Sequence, residues 1–317
     1  MTDAMESPAS QSNARSGGRT GLLLVSCLAI AGGRAAADGP FFSFEPSASW
    51  QDNVTNAPSG EGVLGDSAAC AAGDASWVAS PDFSTTVTCG LAAMGQVWAR
   101  YGGLDSLSAG PRAEIRRKLG LGPYAAVVSA GLEADAVLFD EAQRSSVQGA
   151  VNAGCSRRFN DALQMELIGR IGGADARKSV FSGDYARLDA ALNWDVDETW
   201  RVRLLGGWRE GAVVTDYAAQ WYNGRWVTAD SYDAGAPGTF PAGYSPGQFG
   251  PWRFVTTFKR PFLAFRRHGR TWNYGLGLSP ALGPRTSLLL QYTRFQTYLS
   301  AGKYVNNLVT AGVVRHF

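Results

Sequence analysis

The amino-acid sequence predicts an all-β protein, a transmembrane antiparallel up-and-down β-barrel of about twelve strands. Three observations favour this fold: apolar and polar side chains alternate along successive segments, tight connections alternate with mostly longer ones, and the last segment ends on Phe317. Alternation with a period of two gives a strand one apolar face and one polar face. In a membrane barrel the apolar face meets lipid and the polar face meets the lumen.

Composition narrows the class of protein before any single element is considered. Of the 317 residues, 45% are apolar and 18% are charged, which excludes a disordered chain. The 39 glycines and the 10 Trp, 11 Tyr and 15 Phe residues suit short strands and aromatic belts better than helices. A net charge of +2 gives no reason to expect nucleic acid as a partner. We expect no cofactor and no metal, because the cysteines have neither C-x-x-C spacing nor a histidine partner.

The first element is a predicted signal peptide, residues 1–37, which precedes a barrel domain over 38–317. Basic residues lead into a short apolar run at 21–33, and small residues at 35–37 form a cleavage site. The apolar run is too short to cross a bilayer, which takes about 20 residues. Lipoprotein processing at Cys27 is the alternative to cleavage by a general signal peptidase.

Twelve segments of the mature chain show the alternation and are predicted to be strands. They span residues 41–53, 66–79, 83–100, 105–119, 123–138, 145–159, 162–174, 184–195, 199–215, 262–281, 286–299 and 303–317. The clearest segment runs from Trp200 to Trp208 and has a tryptophan at each end of its apolar face. Two interfacial girdles of aromatic residues would place tryptophans in this way.

The connections between these segments support the barrel. Those after strands two, four, six, eight and ten are tight and consist mainly of Pro, Gly, Asn and Asp, the residues that turns need. The longest of the others, an outer loop predicted at about residues 216–261, is rich in aromatic residues. It either packs on itself or folds into the mouth as a constriction or lid. Short turns at one end and longer loops at the other place the turns in the periplasm.

The alternation assigns side chains to the two faces of the wall. The residues predicted to face lipid are Leu188, Leu192, Val202, Leu204 and Trp208. The residues predicted to line the lumen are Arg112, Glu114, Arg116, Glu133, Asp135, Glu166, Arg170, Arg187, Asp189, Arg201 and Arg203. These charges form either a pore with facing basic and acidic walls, selective for small charged or zwitterionic solutes, or a lattice of paired charges that fills the interior.

A basic cluster at the outer end of strand ten is predicted to form an outer rim. It comprises Lys259, Arg260, Arg266 and Arg267. Arginine pairs strongly with phosphate, so this rim is a candidate site for lipopolysaccharide. A solvated strand end is the alternative.

The chain resembles the uncharacterised, porin-like outer-membrane β-barrel proteins of proteobacteria. Three stretches carry the likeness: residues 49–55, residues 282–288 and the terminal strand that ends at Phe317. The resemblance implies the fold and the outer membrane of a Gram-negative bacterium. It also implies contact with outer-membrane lipids and recognition of the terminal strand by the barrel assembly machinery. It carries no catalytic residue.

The function that the sequence favours is porin-like passage of small polar or charged solutes. The alternative is a non-conducting surface barrel with a structural or ligand-binding role. We expect no enzyme, because the two histidines, His268 and His316, lie in no recognisable motif with a nucleophile. A soluble sandwich is the architectural rival, but it does not explain the terminal Phe317. Whether Cys70 and Cys89 form a disulfide is left open.

Overall fold

The structure is a computed structural model, which describes residues 37–57, 62–222, 225–228, 252–258, 262–299 and 302–317. The predicted signal peptide lies outside the described residues, apart from Ala37 at the start of the first strand, so its cleavage stays a prediction. In the described part of the chain, no helix is both long and apolar enough to cross a bilayer.

Fourteen strands of the described residues form one antiparallel sheet. They are β1 (Ala37–Gln51), β2 (Asp66–Ala79), β3 (Thr85–Trp98), β4 (Ser106–Lys118), β5 (Val127–Phe139), β6 (Ser146–Arg158), β7 (Leu163–Ala176), β8 (Gly183–Asp195), β9 (Trp200–Tyr222), β10 (Arg225–Thr228), β11 (Trp252–Val255), β12 (Phe262–Gly283), β13 (Thr286–Leu299) and β14 (Gly302–His316). Short 3-10 turns at Gly102–Leu104 and Ser179–Phe181 lie between strands.

Twelve of these strands close into a barrel. From β1 to β9 each strand pairs with the next, β9 then pairs directly with β12, and β14 returns to pair with β1. The short strands β10 and β11 extend β9 and β12 beyond the wall. Both the predicted fold class and the predicted number of strands are therefore confirmed.

The largest difference from the predicted strand boundaries is at the end of β9. The sequence predicted a strand over 199–215 and a loop from 216, whereas β9 continues to Tyr222. The strand continues because the start of β12 provides an antiparallel partner, with Ala218 opposite Phe262. The connection that follows is therefore shorter than predicted.

The five connections that the sequence predicted to be tight all lie at one end of the barrel, here called the turn end, and the remaining ones lie at the loop end. Three of the tight turns use the same local device. Asp82, Asn160 and Asp197 each accept hydrogen bonds through Oδ1 from the backbone N–H groups two and three residues later, at 2.7–2.9 Å. These side chains stop one strand and start the next within a few residues.

The outer surface of the wall is apolar. Leu188 and Leu204 are 44% and 52% exposed, respectively. Leu192 lies opposite Leu204, Val202 opposite Trp194, and Trp208 opposite Leu188. Residues directly opposite each other in an antiparallel pair share a face, so the five residues predicted to face lipid lie together on the outside.

The main buried apolar cluster lies at the loop end, not along the middle of the barrel. Its buried members are Val54, Val180, Val255, Phe258, Phe262 and Ala264. They come from three different connections, from the end of β11 and from the start of β12. The loops at this end are therefore packed on one another.

Candidate functional site

The inner wall carries charged side chains, most of which form ion pairs with one another. The pairs are Arg112 with Asp74 (3.7 Å), Arg116 with Glu114 (2.8 Å), Arg158 with Asp195 (3.1 Å), Arg170 with Glu133 (3.2 Å), Arg187 with Asp189 (2.6 Å), Arg201 with Asp195 (2.5 Å) and Arg203 with Glu166 (3.3 Å). Each partner keeps at least 25% of its side chain exposed. Ion pairs this exposed contribute about 0–1 kcal/mol each, so they arrange the charges more than they stabilise the barrel.

A cavity of about 760 Å³ lies inside the barrel toward the loop end. Its charged lining consists of four carboxylates and two guanidinium groups, from Glu45, Asp74, Glu133, Asp135, Arg112 and Arg170. Both arginines are already paired, with Asp74 and Glu133. No basic side chain among the described residues forms an ion pair with Glu45 or Asp135. This cavity, here called the upper cavity, therefore carries an excess of negative charge.

A second cavity of about 590 Å³ lies at the turn end. Its lining includes Arg201 and Asp195, which pair with each other, together with Arg285 and His316. The inner wall thus borders space at both ends of the barrel. Of the residues predicted to line the lumen, Arg112, Glu133, Asp135 and Arg170 lie at the upper cavity and Arg201 lies at the second one.

The ceiling of the upper cavity is formed by the apolar cluster at the loop end. Val54 belongs to that cluster, Trp98 and Leu104 pack against it, and all three also line the cavity. Phe258 contacts Tyr101 edge-on at a centroid distance of 5.4 Å and lies 4.7 Å from Phe262. Aromatic pairs at these distances favour close packing beyond the area that they bury.

A buried ion pair links two of the connections beside this cluster. Arg144, between β5 and β6, donates from Nη2 to both carboxylate oxygens of Asp216 on β9, at 3.0 Å each. Arg144 and Asp216 have side chains 11% and 4% exposed, so the pair is far more buried than the pairs on the inner wall. The guanidinium also lies over the ring of Phe181, 4.5 Å from its centroid. This pair was not predicted, because its members are 72 positions apart in the sequence.

Glu141 completes the charged group around Arg144. It lies 3.6 Å from the Arg144 guanidinium and accepts a hydrogen bond from Thr257. Burial raises the pKa of Glu141 and the pKa of Asp216, whereas the positive charge of Arg144 lowers both. Asp216 lies on the part of β9 that extends beyond its pairing with β8. The two carboxylates depend on Arg144 to stay ionised while buried.

The predicted outer rim is only partly where the sequence placed it. Arg266 lies at the loop end and donates to the carbonyl oxygen of Ser182 at 2.8 Å. Arg267 is buried, with its guanidinium 5.2 Å from the ring centroid of Tyr217 and 5.8 Å from that of Phe265.

The prediction that Arg267 belongs to an exposed basic rim is therefore wrong. Arg267 occupies an inward-facing position in the alternation along β12, and its side chain points inward. His268 and Arg270 occupy outward-facing positions, are exposed, and contact Glu210 at 3.0 and 3.1 Å. Lys259 and Arg260 lie outside the described residues.

Cys70 and Cys89 lie on adjacent strands, and the two histidines lie near opposite ends of the barrel. Cys70 lies opposite Gln96 and Cys89 lies opposite Trp77 in the ladder of β2 and β3, so these two thiols are not bonded to each other. His268 contacts Glu210 on the outside of the barrel, and His316 lines the cavity at the turn end.

No protein-family model matches the sequence, and no curated protein matches it. Among solved structures, the chain is similar to the COG4313 outer membrane channel from Pseudomonas putida F1, with 10% identity, a TM-score of 0.54, and coverage of 90% of this chain and 98% of that chain. A NanC porin matches with 8% identity and a TM-score of 0.45 over 86% of this chain and 98% of that one. A KdgM porin matches with 8% identity and a TM-score of 0.40 over 87% and 99%. At these identities the likeness to the COG4313 channel shows the fold, a closed antiparallel barrel.

Proposed function

We propose that the protein is a porin-like channel of the Gram-negative outer membrane, which passes small polar or charged solutes. The observation that supports this most is the contrast between the two sides of one closed wall. The outer side carries Leu188, Leu204 and Trp272, each at least 44% exposed, whereas the inner side carries ion pairs around two cavities. A wall of this kind separates hydrocarbon from water.

The proposed location has a direct test. Expressed with its natural N-terminus, the protein is expected in the outer-membrane fraction, and it should migrate faster on a gel before boiling than after, because the closed barrel stays compact in detergent. Recovery in the soluble fraction, or identical migration before and after boiling, would count against a membrane barrel. Recognition of the terminal strand by the barrel assembly machinery and contact of Arg266 with lipopolysaccharide are parts of the same proposal.

The solute class that fits the upper cavity is a small cation or the cationic end of a zwitterion. Glu45 and Asp135 present negative charge to the cavity without a basic partner, whereas the other four charged side chains that line the cavity are paired. Unpaired carboxylates along a narrow path raise the local concentration of cations and favour their passage.

We therefore expect the double variant Glu45→Gln/Asp135→Asn to lose cation preference. The reversal potential in a KCl gradient across a planar bilayer should show the permeability ratio of K⁺ to Cl⁻ falling by about threefold. Asp175→Asn, which removes an exposed carboxylate that lines neither cavity, is the control and should leave the ratio close to that of the unmodified protein. An unchanged ratio in the double variant would exclude the upper cavity as the selective region.

A non-conducting barrel is the second candidate function, and one observation favours it. Connections from several sides of the barrel pack together over the upper cavity, with Val180, Val255 and Phe262 almost fully buried. A permanently closed mouth would leave the upper cavity to bind a ligand or to serve a structural role. Absence of current across planar bilayers, in the unmodified protein and in all its variants, would favour this alternative.

A further inference from the structure

Beyond Gly211, β9 and β12 leave the barrel wall and form a separate element of the mouth. Pairing of β8 with β9 ends where Tyr185 lies opposite Gly211, but pairing of β9 with β12 continues to Ala218 and Phe262. We call this two-stranded extension, residues 212–218 and 262–268, the mouth strap. One of its edges has no partner from β8 and is free to bind another part of the chain.

That edge binds the connection between β1 and β2. The backbone N–H of Asp216 donates to the carbonyl oxygen of Thr55 at 2.8 Å. The side-chain amide of Asn56 donates to the carbonyl oxygen of Val214 at 3.2 Å. In the barrel, β1 is separated from β9 by β12, β13 and β14, so the strap reaches over the mouth to make these bonds.

The charged group around Arg144 holds the strap from a second direction. Arg144 lies on the connection between β5 and β6, and Asp216 lies on the strap. Between β5 and β9 the wall contains β6, β7 and β8. Bonds to connections on both sides of β9 therefore hold the strap across the loop end, and its residues Phe262 and Ala264 belong to the apolar cluster that borders the upper cavity.

We propose that the mouth strap is the gate of the channel and that the ion pair of Arg144 with Asp216 is its latch. This inference rests on the proposed channel function. The latch favours a strap that is either fully closed or fully open. A partly opened strap would leave the Asp216 carboxylate buried without its partner, which is strongly disfavoured. When the strap is released, Asp216 and Arg144 both become hydrated, so the same pair that holds the closed mouth costs little in the open one. Among the ion pairs of the described residues, Glu141 is the one further charged group that contacts this pair, and it does so through Arg144.

The first test measures the open fraction of single channels, the share of time that a channel conducts. Arg144→Met keeps much of the side-chain volume and removes the charge, so Asp216 is left buried without a partner. We expect the open fraction to rise by about fivefold or more. Arg144→Lys keeps a charge but not the planar guanidinium that bonds to both carboxylate oxygens, and it should give an intermediate value.

A matched control is Arg157→Met. Arg157 also lies over a phenylalanine ring, that of Phe159 at 5.9 Å, but near the turn end. Its loss should leave the open fraction unchanged. An open fraction in Arg144→Met equal to that of the unmodified channel would overturn the gate while leaving the channel function in place.

A reversible crosslink tests the gate with Arg144 and Asp216 both in place, and the reduced form of the same variant provides the baseline because Thr257→Cys removes the hydrogen bond to Glu141. An ideal Cβ at Gly103 lies 3.4 Å from the Cβ of Thr257, just below the usual spacing of a disulfide, and 2.9 Å from the Cα of Thr257, so the two segments must move slightly apart to form the bond. The double variant Gly103→Cys/Thr257→Cys joins the connection after β3 to the segment that leads into β12. Oxidation should abolish the current, and a reducing agent should restore it.

The oxidised unmodified protein controls for the native thiols. If Arg144→Met does not fold, as judged by its gel migration before boiling, this crosslink decides the question alone. Current that persists at its full level after complete oxidation would overturn the gate.

A third measurement separates failure of the gate from failure of the channel. Cys70 lies on the inner wall near the loop end. It is two residues from Ala72 on β2, so the two side chains share a face, and Ala72 lines the upper cavity. A membrane-impermeant maleimide added to intact cells should label Cys70 about fivefold faster in Arg144→Met than in the unmodified protein. Faster labelling without current in any variant would overturn the channel function, and with it the role as a channel gate, while showing that the ion pair holds the mouth strap closed. Equal labelling rates together with equal open fractions would overturn the gate.

Discussion

Arginine in place of Leu204 is expected to lower the stability of the folded barrel by about 2–4 kcal/mol, which is the cost of exposing a guanidinium to the middle of a bilayer. Leu204 is 52% exposed on the outer wall and lies between Leu192 on β8 and Leu276 on β12. Neither neighbour offers a carboxylate. Urea titration of the protein in phosphatidylcholine vesicles, followed by gel migration without boiling, would measure the loss.

The matched control is the same substitution one residue later. Leu205 lies on the inner wall, opposite Ala191 on β8 and Gly275 on β12. The preceding inward-facing residue of β9 is Arg203. Arginine at Leu205 can extend into the lumen, so we expect a loss below about 1 kcal/mol. Equal losses for the two variants would mean that the wall does not separate lipid from water, and would contradict both the faces assigned here and the proposed location.

The two faces of the wall were predictable because they depend only on local order in the sequence. Side chains on a strand alternate with a fixed period, so Val202 and Leu204 necessarily lie opposite to Arg201 and Arg203. The turns were predictable for the same reason, since Asp82 bonds to its own neighbours two and three residues away. Nothing distant in the chain enters either inference.

The mouth was not predictable, because its contacts join residues that are far apart in the sequence. The pair of Arg144 and Asp216 spans 72 positions, and Asn53 bonds to Val305 across 252 positions. Alternation shows which way a side chain points but not what a loop beyond the wall meets. Arg267 illustrates the limit: its charge suggested an exposed rim, and its place in the alternation, which points inward, was the better guide.

The continuation of β9 past residue 215 lies between these two cases. The residues after Gly211 alternate less clearly than those from Trp200 to Trp208, so the sequence indicated an early end. Pairing with β12 overrides that weak local signal, because each strand satisfies the backbone groups of the other. The β9 part of the strap is therefore a strand because it pairs with β12, and not because its own side chains alternate.

Valine in place of Gly211 is expected to be the most damaging change at the base of the strap. Gly211 has a φ of +145°, a conformation that side chains other than glycine rarely adopt. An added Cβ would lie 2.6 Å from the Cα of Tyr185 and closer still to the carbonyl oxygen of Asp184. Both are backbone atoms of β8, so relief requires β8 and β9 to separate. We expect a loss of about 2–4 kcal/mol from the strained φ together with the overlap.

Gly206 provides the control on the same strand. It lies on the outer wall between Leu204 and Trp208, and an added Cβ there would meet nothing within 4 Å. Gly206→Val should be neutral or slightly stabilising, because it adds apolar surface on the lipid side and favours the extended chain. Urea midpoints in vesicles would compare the two variants. If Gly211→Val is as stable as Gly206→Val, the close contact of β9 with β8 at Gly211 is not required, and the strap does not depend on a fixed hinge at this residue.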